Sequence, residues 1–90
     1  MGHYYKLYKR IKNNPKNVRF DDIDKLLTKV GGFTRRNNGS THYIYTHPDL
    51  NEITDLVNIP FRRPVVLEVY IKNALEKFEK ANPDLIEKWN

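Results

Sequence analysis

A chain of 90 residues has room for one domain with a small core, and it contains no cysteine, which excludes disulfides and thiolate metal sites. Its formal net charge is +5, and no apolar run approaches the ~20 residues that span a membrane. Residues 1–12 are aromatic and basic rather than signal-like, so a cytoplasmic protein is expected.

The positive charge is concentrated in the first part of the chain. Residues 1–38 carry ten Lys or Arg against three Asp, whereas residues 39–90 are slightly acidic. A basic segment in a small domain favours a polyanion partner, most often nucleic acid. A solvated lysine-rich surface would give the same charge count.

Two helices are predicted before residue 33. Apolar residues recur every three or four positions over residues 4–11, with Lys and Arg between them, until residues 13–15 end the pattern. A second apolar stripe covers residues 20–30 and has three Asp in its first turn. Gly31-Gly32 then predicts a left-handed C-cap.

The middle of the chain changes to a two-residue period, which predicts an antiparallel meander. Its strands are expected at 33–37, 42–47 and 53–59, with an Asn-Gly connection at residues 38–40. Helical spacing returns to about residue 81, and Asn82-Pro83 begins a short terminal helix that docks through Trp89.

These elements predict an α+β fold in the order α-α-β-β-β-α plus a short C-terminal helix. A three-stranded antiparallel sheet of this kind has helices on one face, which build the core. Its other face stays open to solvent or to a ligand.

The stretch 39–48 holds the residues best suited to chemistry. His42 follows the hydroxyls of Ser40 and Thr41 and the conformationally free Gly39, and histidine transfers protons near neutral pH. A plain surface histidine is the alternative. His47 falls on the opposite strand face and has no third ligand nearby, so we interpret it as a turn residue and predict no metal site.

Basic and aromatic residues around this stretch are candidate RNA contacts. Arg35 and Arg36 point to opposite faces of a regular strand, so only one of them flanks His42. Tyr43 and Tyr45 share a face, from which they either stack on bases or enter the core. The inward orientation is favoured for Tyr45, and it leaves His42 on the open face. The candidate phosphate contacts are Lys29, Arg35, Arg36, Arg62 and Arg63.

Three segments carry a resemblance to a known family. They are the helix at 20–33 with its glycine exit, the strand at 39–48 with Gly-Ser-Thr-His, and the segment Ile59-Pro60-Phe61-Arg62-Arg63-Pro64 leading to residues 69–75. Together they resemble the HicA family of bacterial toxin–antitoxin ribonucleases, the mRNA interferases. In that family the strand motif is Gly-Ser-His, so Thr41 is an insertion here.

The resemblance covers residues 20–78 and implies a single HicA-like domain over residues 1–90. Its parts would be a helical extension at 4–13, a core at 20–80 and a C-terminal turn at 82–90. The implied fold is like the double-stranded-RNA-binding domain. The implied activity is a stress-response endoribonuclease that needs no metal or other cofactor and is neutralised by a HicB-type antitoxin, with DNA contacted only through the antitoxin complex.

The family's catalytic histidine falls on His42. The RNA-binding set expected around it is Lys29, Arg35, Arg36, Gly39, Ser40, Thr41, Tyr43, Arg62 and Arg63. Two other functions remain open at this stage. One is a non-catalytic RNA-binding module of the same fold, and the other is a protein-interaction domain that docks through the aromatic face of the first helix.

Overall fold

The computed structural model describes residues 3–37 and 39–89, so Asn38 of the predicted Asn-Gly turn lies outside the described residues. Within them the chain forms α1 (His3–Asn13), α2 (Phe20–Lys25), β1 (Thr34–Arg36), β2 (His42–Thr46), β3 (Val57–Pro60), α3 (Glu68–Ala81) and α4 (Pro83–Trp89). A π-helical turn, Leu26–Val30, continues α2, and a 3-10 turn, Ile53–Asp55, precedes β3. The α+β class is confirmed.

The sheet is a three-stranded antiparallel meander in the order β1-β2-β3, as predicted. Arg36 lies opposite Ile44 in the first strand pair, and His42 lies opposite Pro60 in the second. The third strand is shorter than the predicted 53–59, because its first residues form the 3-10 turn.

One face of the sheet is buried under the helices. Tyr45, Val57 and Ile59 are fully buried and belong to the same core cluster as Phe78 of α3. Because side chains alternate along a strand, the residues next to these buried ones in β2 and β3 project from the other face of the sheet. The predicted inward orientation of Tyr45 is therefore confirmed.

Helix α2 widens before it ends. The N–H of Gly31 donates to the carbonyl of Leu26, 2.9 Å away and five residues earlier. Leu26 and Leu27 are both fully buried in this wider turn. The predicted left-handed cap falls on Gly32, at φ +77°. Gly31 lies against Phe78, and a Cβ atom added at Gly31 would come within 2.8 Å of the Phe78 ring.

The two terminal helices pack on the same core. Helix α1 buries Leu7, Tyr8 and Ile11, and Trp89 of α4 packs against the rings of Tyr8 and Phe78. The predicted docking of the C-terminus through Trp89 is confirmed. The apolar stripe of α1 is thus used inside the molecule. None of the helices described here is long and apolar enough to cross a membrane.

A shared carboxylate joins α2 to the sheet. The hydroxyl of Tyr45 donates to Asp24 Oδ1 at 2.7 Å, and Arg35 of β1 donates to the same oxygen at 3.1 Å. Burial and then the hydrogen bond to Asp24 raise the pKa of Tyr45, so its hydroxyl stays protonated and remains a donor. This bond fixes the middle strand against the helix.

A second carboxylate attaches the β2–β3 connection to α3. Asp55 is buried and accepts hydrogen bonds from Lys80 at 2.8 Å and from Lys77 at 3.2 Å. The bond from Lys80, followed by that from Lys77, holds the pKa of Asp55 below its usual value.

The Tyr45 hydrogen bond is expected to contribute about 1 kcal/mol to the free energy of unfolding. Tyr45→Phe should therefore lower that free energy by about this amount in urea unfolding, because it removes the hydroxyl but keeps the ring. Tyr43→Phe is the matched control, since no hydrogen bond joins the Tyr43 hydroxyl to the described residues. Equal losses in the two variants would contradict the assignment.

Asp55 is expected to make stability depend on acidic pH. A carboxyl whose pKa is lower in the folded chain stabilises the fold above the pKa of the unfolded chain, and this stabilisation disappears as pH falls through the folded pKa. Asp55→Asn should lower the melting temperature at pH 7, and its deficit should shrink below about pH 4. A constant deficit from pH 7 to pH 2, or an equal pH response in Asp84→Asn, would refute this.

Candidate active site

His42 is the first residue of β2 and lies on the open face of the sheet. Its side chain is exposed, and it projects away from the face on which Tyr45 is buried. Within the part of the chain that the structure describes, the imidazole of His42 forms no hydrogen bond or ion pair. The predicted position on the open face is confirmed.

The loop before His42 is held by the side chain of Asn37. Its amide group donates to the carbonyls of Ser40 and of His42, the latter at 3.2 Å, and its Oδ1 accepts from the N–H of Gly39 at 2.8 Å. Gly39 has φ +82°, a left-handed conformation that other residues rarely adopt. These bonds define the direction in which the chain enters β2.

Ser40 and Thr41 differ in what they offer a ligand. The Ser40 hydroxyl accepts from the N–H of His42 at 3.0 Å, so it is already used within the loop. The carbonyl of Thr41 accepts from the N–H of Phe61 at 2.7 Å, which extends the pairing of β2 with β3. The Thr41 residue is exposed, and its hydroxyl has no hydrogen bond to the described residues.

Three of the predicted arginines lie at the same end of the sheet as His42. Arg36 is the last residue of β1 and lies opposite Ile44. It is therefore a diagonal neighbour of His42 on the same face of the sheet, with about 7–8 Å between the two backbones. Arg62 and Arg63 follow β3 directly, after Pro60, which lies opposite His42. This end of the sheet is consequently cationic.

Arg62 and Arg63 are positioned by contacts of their own. Arg62 donates to the carbonyl of Val65 at 3.3 Å, and the guanidinium of Arg63 lies 5.1 Å from the ring centroid of Phe61. Both arginines are exposed and line a small pocket of about 50 Å³ together with Arg19.

Other predicted site residues lie elsewhere. Tyr43 faces the helices, where its ring packs 4.8 Å from that of Phe20, and Arg35 lies 5.4 Å above Tyr43 while bonded to Asp24. Both are therefore on the opposite face from His42. Lys29 is nine residues beyond Phe20, or about 13 Å along the helix axis at 1.5 Å per residue, and lies at the other end of α2.

His47 has the predicted turn role. Its Nδ1 accepts from the N–H of Asp49 at 3.0 Å, and its ring packs 5.0 Å from that of Phe33. Among residues 3–37 and 39–89, no group of three or more His, Cys, Asp or Glu side chains is placed to hold a metal ion.

Sequence reasoning missed two asparagines at this end of the sheet. Asn37 organises the loop, and its signal was available, because Asn before a Gly turn commonly bonds the backbone two residues on. Asn58 lies opposite Ile44 on the open face, and its Oδ1 is buried with no hydrogen-bond partner in the described chain. No local pattern marks Asn58.

Neither protein-family models nor curated sequences nor solved structures match this chain. The likeness to HicA toxins therefore rests on the residues at 20–33, 39–48 and 59–75 alone.

Proposed function

We propose that this protein is a HicA-type toxin, an endoribonuclease that cleaves mRNA without a metal ion and uses His42 as its proton-transfer group. The observation that supports this most directly is an exposed imidazole on an open sheet face, at the end of the sheet that also carries Arg36, Arg62 and Arg63. An open face admits an extended strand, and the cations attract its phosphates.

The chemistry proposed for His42 is transesterification within the RNA strand. The ribose 2′-oxygen forms a bond to the adjacent phosphorus while the bond from phosphorus to the 5′-oxygen breaks. His42 takes the proton of the 2′-hydroxyl or gives a proton to the departing 5′-oxygen, and water performs the other transfer. Acid–base catalysis of this kind contributes about 10²–10⁴-fold, so a single histidine predicts a slow enzyme.

The remaining site residues hold the phosphate in this proposal. Guanidinium groups bind phosphate oxygens through two parallel hydrogen bonds. Negative charge develops on the phosphate oxygens in the transition state, and it strengthens those bonds. The exposed hydroxyl of Thr41 contributes a further donor, whereas the N–H of Gly39 is already bonded to Asn37 Oδ1. The Ser40 hydroxyl instead supports the backbone of His42.

The rest of the proposal follows the same resemblance. The arrangement of helices on one face of the sheet would be of the double-stranded-RNA-binding type, and a HicB-type antitoxin would neutralise the toxin in the cytoplasm. A small reading frame for an antitoxin beside this gene would support the assignment. A protein-interaction domain docking through α1 is disfavoured, because Leu7, Tyr8 and Ile11 of its apolar stripe are buried in the core.

His42→Ala is expected to lower the rate of RNA cleavage by about 10²-fold or more, because it removes the proton-transfer group. Cleavage of a labelled single-stranded RNA should be followed in EDTA, where the wild type is expected to retain its activity. His47→Ala, at the other end of β2, is the matched histidine control. Equal cleavage by wild type and His42→Ala would refute the assignment, as would loss of wild-type cleavage in EDTA.

Asn37→Ala is expected to lower kcat by about tenfold with little change in KM, because it releases the loop that orients His42. Its effect on stability should be only about 1 kcal/mol, since the lost bonds are exposed. Steady-state kinetics and urea unfolding measure the two effects. An unchanged kcat in Asn37→Ala, or an equal fall in the exposed-turn variant Asn51→Ala, would show that Asn37 has no positioning role.

A further inference from the structure

A second cationic surface lies between α1 and α2, on the helical side of the molecule. A groove of about 230 Å³ opens there, and Tyr4 on its wall is 38% exposed. None of its three basic residues was expected to bind RNA. The groove is lined by Tyr4, Lys6, Leu7, Arg10, Asp22 and Lys25.

The charges of this groove are not balanced. Asp22 is its one carboxylate, and it is already shared by Arg10 at 3.5 Å and by Arg19 at 3.8 Å. Among residues 3–37 and 39–89, no carboxylate lies within ion-pair distance of Lys6 or Lys25. Lys6 and Arg10 are also four residues apart on one helix, a spacing at which like charges repel. A bound anion would relieve this repulsion.

Arg19 connects the groove to the His42 end of the sheet. On one side its Nε approaches Asp22, at the edge of the groove. On the other side it lines the small pocket formed with Asp21, Phe61, Arg62 and Arg63, of which the last three directly follow the strand that pairs with β2. Arg19 therefore lies between the α1–α2 groove and the arginines that follow β3.

We propose that this surface, the groove together with Arg19, is a binding site for the backbone of a single-stranded nucleic acid. It rests on the proposed function for its ligand in the cell, an RNA strand that lies across His42 and continues over Arg19 into the groove. This path from His42 over Arg19 to the groove, called the track below, passes from one side of the sheet to the other in a molecule of 36 × 30 × 19 Å. A duplex, stiff over about 150 base pairs, does not follow such a bend, whereas a single strand does.

Tyr4 adds a reason to prefer nucleic acid over a simple phosphate ion. Tyr4 lines the groove and is 38% exposed, so an aromatic side chain as well as cations faces a bound strand. Helix α1 would then have two roles, since its apolar stripe completes the core and its basic side binds the strand.

The test measures binding of an oligonucleotide to the His42→Ala protein, in which cleavage is expected to be slowed by about 10²-fold or more. Lys6→Gln, Arg10→Gln and Lys25→Gln are combined and compared with Lys9→Gln, Lys72→Gln and Lys88→Gln, which remove the same charge outside the groove. A single-stranded RNA and a single-stranded DNA of the same sequence, each long enough to span 36 Å, are titrated with protein. Binding is followed by fluorescence anisotropy at several salt concentrations. A Lys6→Gln and Lys25→Gln double variant, which breaks no ion pair, replaces the triple if that protein fails to fold.

The groove triple should lower the slope of log K against log salt by about 2, because each phosphate contact on a single strand contributes about 0.7. The double variant should lower it by about 1.4 on the same basis, and the control triple should leave it unchanged. Equal falls in groove and control variants would overturn the proposal, as would absence of binding to both nucleic acids. Poly-glutamate that binds with the same dependence on the groove residues would also overturn it.

The DNA probe separates this proposal from the proposed function, because DNA lacks the 2′-hydroxyl that the cleavage reaction needs. If the wild type does not cleave RNA but the salt slope for DNA binding still depends on the groove residues, the result would support the groove as a binding site and refute the ribonuclease. A wild type that cleaves RNA while the groove triple keeps its salt slope would support the ribonuclease and refute the track.

Discussion

The complete burial of Tyr45 determines where the other residues of β2 point. Its ring lies in the core and its hydroxyl donates to Asp24, so the strand has one position in which both contacts are made. Because side chains alternate, that position places His42 on the open face. A shift by one residue would bury His42, expose Tyr45 and remove the hydrogen bond from Tyr45 to Asp24. The exposure of the candidate catalytic residue thus depends on core packing.

The antiparallel meander explains why arginines that are distant in sequence lie at the same end of the sheet as His42. In this topology the end of β1, the start of β2 and the end of β3 fall at the same end of the sheet. Arg36 and Arg62, far apart in sequence, therefore lie at the same end of the sheet as His42. Thr41, which would be an insertion relative to the Gly-Ser-His motif of the proposed family, lies at this end, where its carbonyl pairs with Phe61 and Asn37 supports the bend. The extra residue lies before the strand and leaves its alternation intact.

The sequence was sufficient for element types and for the orientation of Tyr45 and His42, since both follow from periodicity. It was insufficient where a tertiary partner decides. Ile53 alternates with the apolar residues of the predicted third strand, yet it is 83% exposed, whereas Asp55 is buried with two lysines of α3. Arg35 and Arg36 are equivalent in sequence, and only the position of Asp24 distinguishes the structural arginine from the one on the open face.

The same reasoning changes what the basic half of the chain means. The partly buried carboxylates of α2 take the arginines nearest to them: Asp24 binds Arg35, and Asp22 binds Arg10 and Arg19. Across the described ranges 3–37 and 39–89, five further cations of the two proposed surfaces have no carboxylate within ion-pair distance, namely Lys6, Lys25, Arg36, Arg62 and Arg63. Net charge therefore indicates a polyanion partner only coarsely. The bond to Asp24 gives Arg35 a structural role, whereas Arg10 and Arg19 are paired with Asp22 but stay exposed beside the unpaired cations of the proposed surfaces.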